Sequence, residues 1–468
     1  MLFTEWVFYP FFALCFVVYW AFPSNRVRKV WLLACSYFFY GYWDWRFLLL
    51  IFASTLIDYS VALALQASED PRRRRLWVTL SLLANLGVLG FFKYFNFFVS
   101  SGAGMLQLLG VEVAPRTLEI ILPVGISFFT FQTMSYTIDV YRRAMVPTRD
   151  FLDFSLYVGF FPQLVAGPIV RARIFLPQLA ARRSFAEVDL RHSLLLFLSG
   201  YFKKACVADN IAAGIDPIFA DPAAHGAADA AIAAVAYSIQ IYCDFAGYTD
   251  MAIAVAGLLG YRLQKNFDFP NLSTSIAEFW ARWHMSLSTW LRDYVYVSLG
   301  GGRGSRAMVY RNLMLTMLIG GLWHGANWTF VLWGGLHGLA LVAHRAAGPW
   351  LTWVRGWWGA LLGWAATFSW VVLCLVVFRC EDLTTAGLFL GRLLAAAAPG
   401  DAPLPHTWWL LVAALGALHL ATRHWGARGL ALCERMSPWA FGVLLGLGAS
   451  VALFFTPLAT TPFIYFQF

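Results

Sequence analysis

Charged residues are scarce in this sequence. They make up 13% of its 468 residues, while 60% are hydrophobic, and an ordinary soluble domain carries roughly twice that charged share. A soluble fold of this size has too little interior to bury so much apolar surface, and apolar runs recur from end to end. The composition excludes a soluble protein and predicts an all-α polytopic membrane protein with one membrane domain over residues 1–468.

The features of several other protein classes are missing. Seven cysteines lie mostly within apolar runs and form no CxxC pair, which argues against a disulfide framework. The net charge is +9, but the basic residues lie in short loops rather than in one stripe, so nucleic acid is not an expected partner. No HExxH, GxSxG or P-loop motif occurs. We therefore expect no metal site and no bound cofactor.

Basic loops predict the orientation of the chain in the cell membrane. The apolar run 6–22 precedes a basic loop at 26–29, and two further runs, 30–42 and 47–66, precede a second at 72–75. The positive-inside rule places both loops in the cytoplasm, which puts the N-terminus outside it. Since Glu5 replaces a basic leader and no small-residue cleavage site follows, we expect the first run to be a retained span.

Later runs include one that is unsuited to a simple crossing. Residues 151–170 contain Pro162, Gln163, Gly167 and Pro168 and have basic clusters at both ends, so we predict a re-entrant or broken helix there. Segment 398–405 is predicted to be an external loop. The other predicted membrane runs cover about 77–100, 118–141, 194–208, 231–260, 312–343, 351–379, 406–421 and 438–456.

The run 312–343 is too long for one crossing, which takes about 20 residues. Its middle reads GGLWHGAN over 320–327, where three glycines weaken a helix by up to about 1 kcal/mol each. A break there would place His324 beside a cavity or packed protein. A neutral imidazole can take a proton from an attacking hydroxyl. The alternative is a core histidine that only bonds a neighbouring helix.

Residues 271–300 predict an amphipathic helix lying at the membrane interface. Ser275 and Glu278 form a capping-box pattern, and aromatic and aliphatic residues then recur at three- and four-residue steps. His284 falls on the flank of that apolar face, from which it could point into a cleft or simply meet the interface. Basic residues nearby, Arg282 among them, could attract a phosphate-bearing donor or anionic lipid.

Five ionisable residues lie within or at the ends of apolar runs: Asp58, Lys93, Asp139, Asp244 and Asp250. Ionisable groups are expensive in a membrane and are usually paired or functional. Asp244 and Asp250 are six positions apart, too far to share one helix face cleanly, and we expect a structural rather than catalytic role for these two.

The sequence resembles the bacterial branch of the membrane-bound O-acyltransferase family, and within it the membrane subunits of alginate O-acetylation. The similarity is specific through about residue 345 and only hydropathic beyond it. We thus expect core motifs over 41–345 and additional C-terminal helices over 350–456. The matching blocks are GYWDWR (41–46), FFKYFNFF (91–98), LPVGISFFTFQTMSYTIDVYR (122–142), FFPQLVAGPIVR (160–171), IYCDFAGYTDMAIA (241–254), NFDFPNLSTSIAEFWARWHMSLSTWLRDYVYVSLGG (266–301) and GGLWHGANWTFVLWGGLHG (320–338).

This resemblance implies a ring of transmembrane helices around a central catalytic funnel. It implies that His324, in WHG, is the reactive histidine and that His284, in RWHMSLS, supports it. Asn266 is a possible counterpart of an asparagine that other members pair with the histidine. Further candidates for the substrate or donor channel are Trp323, Asn327, Arg282 and Ser288.

The implied reaction moves an acetyl group from a cytoplasmic thioester, acetyl-CoA or another, to an extracytoplasmic acetyl-accepting protein that modifies a polysaccharide such as alginate. The inner membrane is the implied location, with membrane lipid as a further partner. Two alternatives stay open at this stage. One is a D-alanyl transferase for teichoic acids, and the other is a transporter of polysaccharide or lipid without covalent chemistry.

Overall fold

The computed structural model describes residues 1–348, 356–395, 404–457 and 463. Over these ranges the chain forms helices and no strand, which confirms the predicted all-α class. Five helical stretches are long and apolar enough to cross a membrane, as a polytopic protein requires. The loop predicted at 398–405 lies mostly outside the described residues, as do residues 350–355 of the predicted C-terminal helices. The ring and funnel stay predictions.

The chain forms two compact units, and the first consists of Met1–Leu190 and Ala252–Gln264. The single domain predicted over 1–468 stays a prediction. The helices of this unit are α1 (Phe8–Ala21), α2 (Asn25–Asp44), α3 (Leu48–Ala67), α4 (Pro71–Leu89), α5 (Phe95–Leu108), α6 (Ile126–Tyr141), α7 (Phe151–Gly159), α8 (Phe161–Leu164) and α9 (Ala172–Ala180).

A buried carboxylate joins three helices of the first unit. Asp58 of α3 accepts hydrogen bonds from Ser81 and Asn85 of α4 and from Thr137 of α6. Asp58 is fully buried, and a buried polar group is tolerated when its bonds are made. These bonds give Asp58 a structural role, because they hold the three helices together.

The run 151–170 is broken, as predicted. Helix α7 ends at Gly159, the single turn of α8 follows, and the chain is not helical again until α9. Pro162 lies in the first turn of α8, where a missing amide hydrogen costs no helical bond. Every residue of 153–170 is buried, so the irregular backbone is covered by protein.

The second unit consists of Arg191–Met251 and Lys265–Phe468. Helix α12 belongs to it through Met251, and its last turns belong to the first unit. The helices are α10 (Leu190–Tyr201), α11 (Asp209–Ala220), α12 (Ala227–Leu258), α13 (Ile276–Arg282), α14 (Met285–Trp290), α15 (Arg306–His324), α16 (Trp328–Ala347), α17 (Gly356–Arg379), α18 (Leu383–Leu394), α19 (Thr407–Arg435) and α20 (Pro438–Phe455).

Two lysines between α10 and α11 bind the carboxylates of α12. Lys204 is buried and lies 2.7 Å from both Asp209 and Asp244, whereas Lys203 lies 2.6 Å from Asp250 in a half-buried pair. Burying an ionised side chain is costly unless it is paired. These pairs agree with the structural roles expected for Asp244 and Asp250.

Helices α15 and α16 are separated by the break predicted in 312–343. Helix α15 ends at His324, and Asn327 begins α16 by accepting a hydrogen bond from the Thr329 amide at 3.0 Å. The two helices then pack closely, because a Cβ at Gly334 would overlap the carbonyl oxygen of Met317. This approach fixes the position of His324 against α16.

The single amphipathic helix predicted over 271–300 is wrong. Ser275 caps α13 as predicted, since its Oγ accepts from the Glu278 amide at 3.2 Å, but α13 ends after seven residues. Trp283 is extended and His284 is left-handed (φ 41°, ψ 53°), after which α14 begins. Most of the aromatic face is buried inside the second unit, whereas the prediction placed it at the membrane interface.

Candidate active site

His324 lies at the last position of α15, against three large aromatic rings. Its ring centroid is 5.0 Å from Trp323, 4.9 Å from Trp333 of α16 and 5.3 Å from Phe378 of α17, each in an edge-to-face arrangement. The residue is 4% exposed. These rings hold the His324 side chain at the end of α15.

His284 is fully buried and is held by Asn266. Its Nδ1 lies 3.3 Å from Asn266 Oδ1, and that oxygen also accepts from the Ser286 amide at 3.1 Å and the Ser286 hydroxyl at 2.9 Å. A backbone amide only donates, so the atom of Asn266 that faces it is the oxygen. The shared hydrogen of the histidine contact must then lie on His284 Nδ1.

This contact fixes the tautomer of His284. With the proton on Nδ1, the lone pair of the neutral ring lies on Nε2. His284 lies outside the five stretches long enough to span a membrane, and burial lowers its pKa to about 3. The ring is neutral at physiological pH, and Nε2 can accept a proton or a hydrogen bond.

Trp323 connects the two histidines. Its indole is 5.9 Å from the His284 ring and 5.0 Å from the His324 ring, centroid to centroid. The structure thus brings together two histidines that are 40 positions apart in the chain. Phe245 of α12 packs edge-to-face on His284 at 4.7 Å and completes that side.

A third buried histidine, His337, was not predicted as a site residue. Its Nδ1 accepts a hydrogen bond from the Trp280 indole at 3.3 Å, and its ring lies 4.8 Å from Trp333. Trp333 in turn contacts His324. The available signal was that His337 and His324 are the only titratable residues of the run 312–343.

The side chains of three predicted channel residues form hydrogen bonds or an ion pair with other groups of the protein. Asn327 caps α16 and donates to the Glu381 carbonyl at 2.6 Å. Arg282 pairs with Glu278 at 2.6 Å. Ser288 donates to the Trp283 carbonyl at 3.0 Å. These contacts hold the turns on either side of the histidines.

The arrangement offers acid–base chemistry, because two imidazoles packed on one indole can take up and return a proton during group transfer. In the part of the chain that the structure describes, no three His, Cys, Asp or Glu side chains are grouped so as to hold a metal ion.

Known proteins are similar in sequence to this chain over most of its length. The profile of the family described as MBOAT, membrane-bound O-acyltransferase, matches residues 140–380. A probable alginate O-acetylase of Azotobacter vinelandii is 43% identical over 397 residues, covering 82% of this chain and 76% of that protein. A second, from Pseudomonas putida, is 37% identical over the full length of both. The resemblance thus continues beyond residue 345, where only hydropathic similarity was predicted.

A relative with another polysaccharide in its name is similar to the same extent. The peptidoglycan O-acetyltransferase of Helicobacter pylori is 37% identical over 408 residues, covering 81% of this chain and 76% of that protein.

Proposed function

The chain belongs to the membrane-bound O-acyltransferase family, and we propose that it transfers an acetyl group from a cytoplasmic thioester for O-acetylation of an extracytoplasmic polysaccharide such as alginate. Membership makes it a multi-pass membrane O-acyltransferase. Relatives named for alginate and peptidoglycan acetylation support acetyl as the group and a polysaccharide as its destination. Acetyl-CoA, or another acyl thioester, is the proposed co-substrate.

His324 is the proposed general base. It takes the proton of the acceptor hydroxyl while the hydroxyl oxygen forms a bond to the thioester carbonyl carbon. The carbon–sulfur bond then breaks, and the proton passes to the leaving sulfur. Because His324 ends α15, the partial negative charge of the helix C-terminus favours the transient imidazolium.

His284 is proposed to orient the reacting groups and share the proton. Asn266 holds the ring so that Nε2 carries the lone pair. The single observation that carries the proposal is the packing of both imidazoles on Trp323. Positioning of reactants and proton transfer supply most of what a thioester reaction needs. Asn266 and Trp323 are therefore proposed as parts of the reaction site.

The membrane placement is proposed from the charge pattern. The basic residues at 26–29 and 72–75, which the structure places at the starts of α2 and α4, lie on the cytoplasmic side of the inner membrane. The N-terminus lies on the opposite side. In this orientation the donor approaches from the cytoplasm and an extracytoplasmic protein receives the acetyl group. A reporter active only in the cytoplasm, fused before residue 1, tests the orientation and is expected to be inactive.

The function is tested by mass analysis of surface glycan from cells that carry the intact gene, His324→Ala or His424→Ala. His424 is an exposed residue of α19, which makes its variant a matched control. We expect acetyl esters with the intact and His424→Ala chains and none with His324→Ala, at equal membrane content of all three. Unchanged esters in the His324→Ala cells refute the proposal. D-alanyl esters in place of acetyl esters assign the chain to the alternative donor class.

A further inference from the structure

A large apolar cavity lies within the second unit, and its lining includes His419 but none of His284, His324 and His337. Its volume is about 910 Å³, and side chains of α10, α12, α17, α19 and α20 line it. Leu, Val, Ile, Phe and Ala side chains supply most of the lining, with Leu198, Ile239 and Val412 as examples. The volume is in the upper range for small-molecule sites, which run from about 300 to 1,000 Å³.

The cavity is elongated along α19. Its lining follows α19 from Val412 to Thr422. Ten residues of α-helix rise about 15 Å, which is half of the roughly 30 Å hydrocarbon core. One acyl chain of a phospholipid occupies that depth.

The polar end of the cavity carries two cations. Phe269 lines the cavity, and its ring has Lys265 at 5.8 Å and Arg423 at 5.9 Å. Lys265 also pairs with Asp268 at 2.6 Å. Arg423 is exposed, and its charge acts on the carboxylates of Asp268 and Glu278. Arg282 acts on the same two carboxylates. The three cations and two carboxylates leave this end with one net positive charge.

We propose that the cavity binds an acyl chain of an anionic glycerophospholipid, with the lipid phosphate at Arg423 and Lys265. The apolar walls accept the hydrocarbon and disfavour water, which needs several polar partners. Cationic side chains at a membrane surface attract anionic headgroups. Together they match one molecule with a long apolar tail and a negative head. This site does not depend on the proposed acetyl transfer.

The site is connected by contact to the candidate active site. Tyr242 lines the cavity and packs edge-to-face on Phe267 at 5.9 Å. Phe267 in turn lies parallel to His284 at 6.5 Å. A bound acyl chain packs against Tyr242 on the cavity side, and loss of the acyl chain leaves Tyr242 freer to move.

The binding is tested by native mass spectrometry of the full chain after exchange into vesicles of phosphatidylglycerol or phosphatidylethanolamine. Gly416→Phe fills the cavity, because a Cβ at Gly416 points into open space and the residue lines the cavity. Gly429→Phe is the control on the same helix, also in open space but outside the lining. We expect Gly416→Phe to retain at least tenfold less phosphatidylglycerol than the intact and control chains.

The headgroup contact is tested by Arg423→Gln. It should lower the preference for phosphatidylglycerol about fivefold, the effect of one cation at a membrane surface, while a bound lipid is still retained. If Gly416→Phe does not fold, Ala413→Phe, from the same lining, replaces it. Equal retention by the filled and control variants overturns the proposal. So does an intact chain that retains no lipid, that prefers neither lipid, or that retains a protein subunit displaced by Gly416→Phe.

Discussion

Replacing Gly334 by alanine should move α16 away from α15 and disturb the position of His324. A Cβ at Gly334 would overlap the Met317 carbonyl oxygen and lie 3.2 Å from Gly321 Cα, so backbone must shift in one of the two helices. Gly335→Ala is the matched control. Its Cβ meets only Leu318, at an ordinary 3.6 Å.

The magnitude of this effect follows from comparing the two variants. Both gain the same helix propensity from glycine to alanine, up to about 1 kcal/mol, so the difference between them isolates overpacking, about 1–3 kcal/mol. For a chain of this length that lowers the unfolding midpoint by about 1–3 °C. A displacement of about 1 Å in the site lowers the rate about 10²-fold. Thermal unfolding and acetyl transfer by purified Gly334→Ala and Gly335→Ala proteins measure both. Equal midpoints and equal rates would contradict the packing argument.

Two further outcomes follow from buried polar contacts. Asn266→Asp keeps an acceptor for the same hydrogen bonds but adds a negative charge, which favours protonated His284. The acidic limb of the pH–rate profile should therefore move to higher pH. An unmoved limb would show that His284 does not titrate in the reaction. Lys204→Ala removes an ammonium between two buried carboxylates and should lower the free energy of unfolding by about 3–5 kcal/mol. Lys203→Ala should lower it by at most about 1 kcal/mol. Chemical unfolding in detergent measures both, and equal decreases would contradict the argument that burial makes the Lys204 pair more important.

The break beside His324 could be predicted from the local sequence, but only one of the three glycines on which the prediction rested lies in it. Glycine density indicated an interruption at 320–327, and the structure has one at 325–327. Gly320 and Gly321 nevertheless stay within α15, where Gly321 lies against α16. Only Gly325 lies in the break. A glycine needed for close packing and one needed for a turn look alike in the sequence.

The turn at His284 could not be predicted from periodicity. Residues 276–294 contain neither glycine nor proline, and the three- and four-residue spacing continues across the turn. What interrupts the helix is tertiary: Asn266 bonds His284 and Ser286 across 18 and 20 positions. The aromatic face was predicted to meet lipid, but Trp280 instead donates to His337 of α16. A local pattern identifies an apolar face without identifying what covers it.

The partners of the charged residues also could not be predicted from the sequence. The sequence indicated that Asp244 and Asp250 are structural, because ionisable groups in apolar runs are usually paired. It could not indicate that adjacent lysines, Lys203 and Lys204, each take one of them. The pairing depends on how α12 lies against α10, which only the folded chain specifies.

The most direct test of the catalytic role of His324 is the transfer of labelled acetyl from acetyl-CoA to an oligosaccharide by the purified protein in liposomes. His324→Ala should lower the rate by about 10² to 10⁴, the usual contribution of a general base, in protein that is still folded. His424→Ala should keep the intact rate. A His324→Ala protein that keeps the intact rate would contradict the assignment of His324 as the base.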